Sequence, residues 1–205
     1  MHMENPWETI SQEQAYENPW IRLSHRQVIT PSGKEGIYGV VHFKNRAVAI
    51  VPVDTDGFTW LVGQYRYTLE SYSWEVPEGG APADESPLAA AKRELAEETG
   101  IHACNWTDLG KVHLSNSVTD ETGHIFLATG LQFGPPSPEE TEALHLRRLP
   151  LSEAVRMALD GDITDCLSIA ALLKVHFLHI SGGISFHAGP VDRSQEPTDF
   201  GSLLS

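Results

Sequence analysis

Residues 79–101, GGAPADESPLAAAKRELAEETGI, constrain the fold more than any other part of the chain. Ser86 stands where a helix N-cap is wanted, and Pro87 suits the first helical position, where its missing N–H costs nothing. Gly100 suits the left-handed residue that closes a helix. A helix over about 87–99 follows, with Leu88, Ala91 and Leu95 recurring as an apolar stripe for a core. Glu94 and Glu98, one turn apart, project from one face, and Glu97 lies beside them. Like charges at that spacing destabilise a helix by roughly 0.2–0.5 kcal/mol per pair, and a bound cation reverses the sign. Donors that are all oxygen, with no Cys or His among them, suit a hard ion, Mg²⁺ first and Mn²⁺ second. Arg93, on the same helix, is placed to pair with Glu85 and hold the preceding loop. A run of charge by itself ordinarily marks a solvated face. The fixed spacing around this one argues for a site that handles phosphates.

That spacing is Gly79, five residues, Glu85, seven residues, Arg93-Glu94-Leu95, one residue, Glu97-Glu98, one residue, Gly100-Ile101. It resembles the Nudix box, Gly-x5-Glu-x7-Arg-Glu-aliphatic-x-Glu-Glu-x-Gly-aliphatic, at every fixed position. The resemblance implies an α/β fold, an α/β/α sandwich with a mixed central sheet and an N-terminal β subdomain. It implies hydrolysis of a nucleoside diphosphate linked to another group. It also implies that Glu94 and Glu98 ligate two or three divalent ions, that Glu97 assists as ligand and in catalysis, and that the backbone carbonyl of Glu78 is a further ligand. Arg93 and Glu85 become structural partners. The Gly79-Gly80 pair reads as close backbone approach to phosphate and metal.

The likeness extends more weakly over most of residues 18–178. Gln64-Tyr65-Arg66 and Trp74-Glu75-Val76-Pro77-Glu78-Gly79 are similar to signatures of the ADP-ribose and nucleotide-sugar pyrophosphatases. By that resemblance Arg66 contacts a substrate phosphate, and Glu75 and Gly80 join it as substrate-binding candidates. Ser115 to Glu121 lines up with a Ser-Pro-Gly-aromatic-Ser-Asp-Glu loop whose glutamate, here Glu121, approaches the metal and diphosphate. Asn116 stands where ADP-ribose enzymes usually carry a proline, a departure that touches substrate preference and leaves the reaction type intact. The general base of the group often comes from an acidic loop after the box. Here that loop is Gly134 to Thr141, with Glu139, Glu140 and Glu142 as candidates, Glu142 first because it directly precedes the anchoring strand. Early strands in the group make a subdomain that builds a homodimer and reaches the partner's nucleotide site. Trp7, Trp20, Tyr38 and Phe43 are then candidates for base stacking, with Trp20 carried in the substrate-binding set; core or dimer packing is the alternative for each.

Composition sets the outer bounds. A chain of 205 residues with 40% hydrophobic content makes one compact domain with short extensions. No run of 18 apolar residues exists, so no membrane span is expected. The polar N-terminus, with Glu4 and Glu8, does not read as a signal peptide. Cys104 and Cys166 lack metal spacing and read as buried free thiols of a reduced, cytoplasmic protein. The formal charge of −14 argues against a nucleic-acid partner. It also repels an anionic substrate, so divalent metal and Arg66 must invert the local sign, and activity without metal should be close to nil.

Alternation and turn residues predict strands at 21–29 and 37–43, then a strand pair at 47–53 and 58–65 around Asp54-Thr55-Asp56-Gly57. Further strands are expected near 106–113, 124–131 and 143–148. Ser152 is expected to cap a helix ending near Leu159, and Thr164 to Leu178 to form a last apolar helix. The chain divides into 1–45 as N-terminal strands for dimerisation, 46–180 as the hydrolase domain and 181–205 as a tail, disordered or packed on a partner. Ser115, Ser117, Asp120 and His124 lie close in sequence but show no triad spacing. His176 and His179 lack a third zinc ligand. The leading function is Mg²⁺-dependent hydrolysis of an NDP-sugar, ADP-ribose first and GDP-mannose among the others. A Nudix hydrolase of another nucleotide and a non-catalytic nucleotide-binding regulator are the alternatives.

Overall fold

Strand β4 (Arg46–Pro52) is apolar at consecutive positions because it is buried on both faces. Val48 and Ile50 face one cluster of core side chains; Ala49, Val51 and Val53 face another. A strand with two buried faces needs a layer on each side. The computed structural model supplies both, and describes residues 4–136 and 144–186. Helix α1 (Pro87–Thr99) closes the first cluster through Ala90, Ala91 and Leu95. Helices α2 (Leu151–Asp160) and α3 (Cys166–Ile180) close the second through Val155, Leu167, Leu172 and Val175. The result is the α/β/α sandwich with a mixed central sheet.

That sheet has the order β7-β4-β9-β8, with β7 (Glu78–Ala81), β8 (Ile101–His113) and β9 (Thr122–Phe133). β4 runs parallel to β9 and antiparallel to β7, whose register sets Val48 opposite Gly79. A second sheet has the order β10-β5-β6, from β5 (Phe58–Arg66), β6 (Ser71–Glu75) and β10 (His145–Pro150). A third joins β1 (Glu8–Glu17), β2 (Ile21–Ile29) and β3 (Glu35–Phe43) as an antiparallel meander.

Several expectations change. The strands 47–53 and 58–65 exist but do not pair as a hairpin; they join different sheets and share only the bridge Val53–Thr59. Each takes an inner place in its own sheet, covered by different layers. β1, β6 and β7 were not expected. Every residue of β1 is exposed, so no apolar alternation marks it, and pairing with β2 alone makes it a strand. β7 is rich in glycine, a poor strand former. α2 begins at Leu151 behind Pro150 with no side-chain cap, rather than at a Ser152 cap. α3 begins at Cys166, where Asp165 accepts from the Ser168 N–H at 2.6 Å. On α1, Leu88 is exposed and Ala90 takes its place in the core. Both cysteines are exposed, not buried: Cys166 opens a helix at the surface, and Cys104 lies at an outward position of β8. The first residues of the tail fold back on their own chain, Phe186 burying against the α2–α3 cluster and stacking on His179 at 4.1 Å. Residues 187–205 lie outside the described part. None of the described helices is long and apolar enough to cross a membrane.

Gly100 shows how tightly α1 is closed. Its φ is +70°, and a Cβ there would collide with the Gly134 carbonyl oxygen, whose own N–H donates to the Gly100 carbonyl at 2.7 Å. Gly100→Ala should destabilise the fold by about 1–3 kcal/mol, read as a lower urea midpoint with an unchanged slope.

Candidate active site

Helical geometry makes one face of α1 both core and site. Ala91, Leu95 and Glu98 follow one another at intervals of four and three, so Glu98 continues the buried stripe and is only 3% exposed. A buried carboxylate needs hydrogen bonds, and Glu98 Oε2 accepts from the Glu78 N–H at 3.0 Å. One turn earlier, Glu94 Oε1 accepts from the Gly80 N–H at 3.1 Å. Both carboxylates thereby face strand β7. Contact this close is possible because residue 79 has no side chain: a Cβ on Gly79 would fall inside the Glu94 carboxyl group.

Arg93 ties the cluster together. It donates to Glu85 at 2.9 and 3.3 Å, to Glu94 at 2.8 Å, to Glu97 at 2.9 Å and to the Gly80 carbonyl at 2.9 Å. The Arg93–Glu85 pairing is the one expected. The bonds to Glu94 and Glu97 add a second offset to their mutual repulsion that the spacing alone did not show. Burial raises the Glu94 carboxyl above its ordinary value, and the Arg93 charge and hydrogen bond pull it partly back. Glu97 is half-exposed and turned to Arg93.

On the opposite wall, strand alternation puts Gln64, Arg66 and Glu75 on one face of the β5–β6 pair. Glu75 is 2% exposed and grips Arg66 through bonds of 2.5 to 3.1 Å. Gln64 donates to the same carboxylate at 3.3 Å. Glu75 thus lies beneath the site and holds Arg66. Arg66 reaches on to Glu78 Oε1 at 2.8 Å. Burial weakens the guanidinium's hold on its proton, but Glu75 and Glu78 more than reverse this. Glu78 Oε2 is buried with no hydrogen-bond partner. Burial, then the charges of Asp165 and Glu75, drive the Glu78 carboxyl well above its usual range.

These walls enclose a cavity of about 450 Å³ lined by Arg66, Glu78, Gly79, Gly80, Glu94 and Glu98. Glu121 enters from the 114–121 loop, its carboxyl raised first by burial and then by Asp165 and Asp120. Trp20 and Phe43 line one side, both substantially exposed. Trp7 and Tyr38 are elsewhere; they meet edge to face at 5.4 Å and line a separate cavity of about 240 Å³. Glu139, Glu140 and Glu142 lie outside the described residues. Sequence reasoning missed Arg46, Asn45 and Asp165. Arg46 lines the cavity and donates to the carbonyls of Pro82 and Glu85 at 2.9 and 2.6 Å, fixing the loop before α1. Asp165 acts electrostatically on Arg66, Glu78 and Glu121 from the start of α3. An Asp just before an apolar helical run was an available cue for that helix start.

Among the described residues no three His, Cys, Asp or Glu side chains converge as a preformed metal group. The box carboxylates instead spend oxygens on backbone N–H groups and on Arg93. The donor set still fits a divalent cation. It is all oxygen, Glu78 on the same cavity wall keeps one buried carboxylate oxygen without a partner, and the missing side chain of Gly79 lets the Glu94 carboxylate lie against the backbone of β7.

Comparison with known proteins agrees with this geometry. Residues 43–166 match the NUDIX domain, and residues 7–41 match the nucleoside diphosphate sugar hydrolase N-terminal domain. The chain is 38% identical over 177 residues to an ADP-ribose pyrophosphatase of Mycobacterium tuberculosis, covering 84% of each. It is 31% identical over 166 residues to one of Bacillus subtilis, covering 80% of this chain and 89% of that protein. A crystal structure of an ADP compounds hydrolase superposes with a TM-score of 0.78 at 25% identity, covering 90% of this chain and all of the other. With the domain match spanning more than half its length and the box intact on α1, the chain belongs to the Nudix family and is a Nudix hydrolase.

Proposed function

We propose that this protein hydrolyses the diphosphate bond of a nucleoside diphosphate linked to a sugar, with ADP-ribose as first substrate, giving AMP and ribose 5-phosphate. One observation carries the reading: a single cavity sets the α1 carboxylates opposite Arg66, with Glu121 and the aromatic side chains of Trp20 and Phe43 around them. Anion recognition, cation ligands and stacking surfaces for a base stand within reach of one extended substrate. The relatives named ADP-ribose pyrophosphatase favour the same substrate.

Glu94, Glu98 and the Glu78 carbonyl would hold Mg²⁺ or Mn²⁺, with Glu97 assisting once released from Arg93. When bound, such ions supply Lewis-acid charge neutralisation and acidify water. The remaining work falls to side chains. Arg66 would meet a phosphate through a guanidinium already oriented by Glu75, so little side-chain entropy is lost on binding. Glu75 is buried beneath the pair while Arg66 keeps a partly exposed face toward the cavity, so the carboxylate anchors the guanidinium without covering it. Glu142 is proposed as the base that takes a proton from the attacking water, with Glu139 and Glu140 as its alternatives. The N-terminal meander is proposed to form a homodimer with its copy, β1 being a wholly exposed edge strand.

Purified protein with Mg²⁺ should convert ADP-ribose to AMP and ribose 5-phosphate faster than it cleaves nucleoside triphosphates or dinucleotides. Binding of ADP-ribose without turnover would favour a regulator instead. Arg66→Ala should lower kcat/KM by about 10- to 100-fold while leaving Mn²⁺ binding intact. Unchanged steady-state kinetics would make Arg66 purely structural.

A further inference from the structure

A Ser–His–Asp chain does form in this molecule, from residues that sequence proximity did not suggest. Ser24 Oγ lies 2.9 Å from His42 Nε2, and His42 Nδ1 lies 2.6 Å from Asp120 Oδ2. Ser24 is 1% exposed, so its hydroxyl cannot meet a substrate, and a nucleophilic role is out. The chain joins two parts of the fold. Ser24 and His42 are on β2 and β3 of the N-terminal meander; Asp120 is in the 114–121 loop and is the residue before Glu121. Asp120 can only accept as a carboxylate, so Nδ1 is the donor of that bond, and Nε2 faces the Ser24 hydroxyl. Arg26 Nη2 stands 3.5 Å from the same Nε2.

The second Asp120 oxygen is used as well. Oδ1 accepts from the Phe43 N–H at 3.1 Å. The loop backbone is stitched to the same strand, Asp120 N–H to the Val41 carbonyl at 3.2 Å and Val41 N–H to the Val118 carbonyl at 2.9 Å. Phe43 and Glu121, the immediate neighbours of His42 and Asp120, both line the catalytic cavity. The loop also contains Ser115 at φ +36°, a costly conformation for a residue with a Cβ, so outside contacts must hold its path.

We infer that His42 and Asp120 are positioning residues: anchored by buried Ser24, they latch the 114–121 loop to the N-terminal meander and thereby set where the Glu121 carboxylate stands in the cavity. This rests on the reading above that Glu121 faces the substrate. The meander then contributes to the site within its own chain, apart from any part in dimer formation.

A double-mutant cycle on the full chain, with ADP-ribose and Mg²⁺ as probes and melting temperature followed in parallel, tests this. His42→Ala should lower kcat/KM about 10- to 100-fold, the scale for misplacing a reacting-site group by an ångström. Combined with Glu121→Ala, it should cost little more than Glu121→Ala alone, since there is then no carboxylate to place. Asp120→Asn should behave like His42→Ala. His42→Asn, whose amide N–H can replace Nδ1–H, should recover most of the activity, and His42→Gln should not. The latch is overturned if Glu121→Ala is impaired but His42→Ala is not. It is equally overturned if His42→Ala costs the same with and without Glu121, or if Gln rescues as well as Asn. Should Glu121→Ala itself retain parental kcat/KM, the role given to Glu121 in the proposed function fails first.

Discussion

Glu98→Gln should leave the fold intact and lower turnover by at least ~10²-fold at saturating Mg²⁺. The substitution is conservative in shape. A glutamine oxygen can still accept from the Glu78 N–H, which the Glu98 carboxylate does at 3.0 Å. What disappears is the negative charge at a buried point of the α1 face. If that carboxylate only closed a hydrogen bond between α1 and β7, the amide would serve nearly as well, and removing a buried charge would cost no stability. A large loss of kcat with an unchanged melting temperature therefore separates a cation ligand from a structural acceptor. Steady-state kinetics with thermal melts decides it, and parental turnover would contradict the assignment.

Gly79→Ala should cost about 10- to 100-fold in kcat/KM through geometry alone. The new methyl group would occupy the space of the Glu94 carboxyl, so the helix or the side chain must move. The side chain moves more cheaply, and it then gives up its bonds from Gly80 and Arg93, the latter 2.8 Å long. Gly79 is not in the left-handed region, so backbone strain is not at issue. The expected protein is folded, with weakened Mn²⁺ affinity by calorimetry. Undiminished metal affinity and activity would show that the position of Glu94 is immaterial.

The first of these predictions was approachable from the chain alone because the box is local; the clash of a residue-79 side chain with Glu94 needed the packing of α1 on β7. The box's caps, apolar stripe and one-turn carboxylate spacing lie within twenty-three residues and depend on helix geometry, which needs little context. The pairing of Arg93 with Glu85 followed from the same proximity. What stayed hidden depends on chain reversals. β1 has no buried face, so periodicity says nothing about it. The split of β4 and β5 between two sheets is decided by which layers cover them, not by their own residues. Glu75 looked like a substrate contact and lies instead under Arg66, a distinction that only burial reveals. Leu88 matched the helical stripe, but at the first turn of α1 it is exposed. Ser24, His42 and Asp120 are brought together by the meander and the loop; no spacing rule links positions so far apart. The cysteines were misjudged because a small apolar side chain is usually buried, whereas these two sit at a helix start and on an outward strand position.

The most direct measurement is anomalous scattering from crystals grown with Mn²⁺ and a non-hydrolysable ADP-ribose analogue. The expected result is manganese bound by Glu94 and Glu98 against the Glu78 carbonyl, with the diphosphate between that metal and Arg66. Analogue bound in the cavity with no metal at these carboxylates, or manganese lodged only elsewhere on the acidic surface, would contradict it.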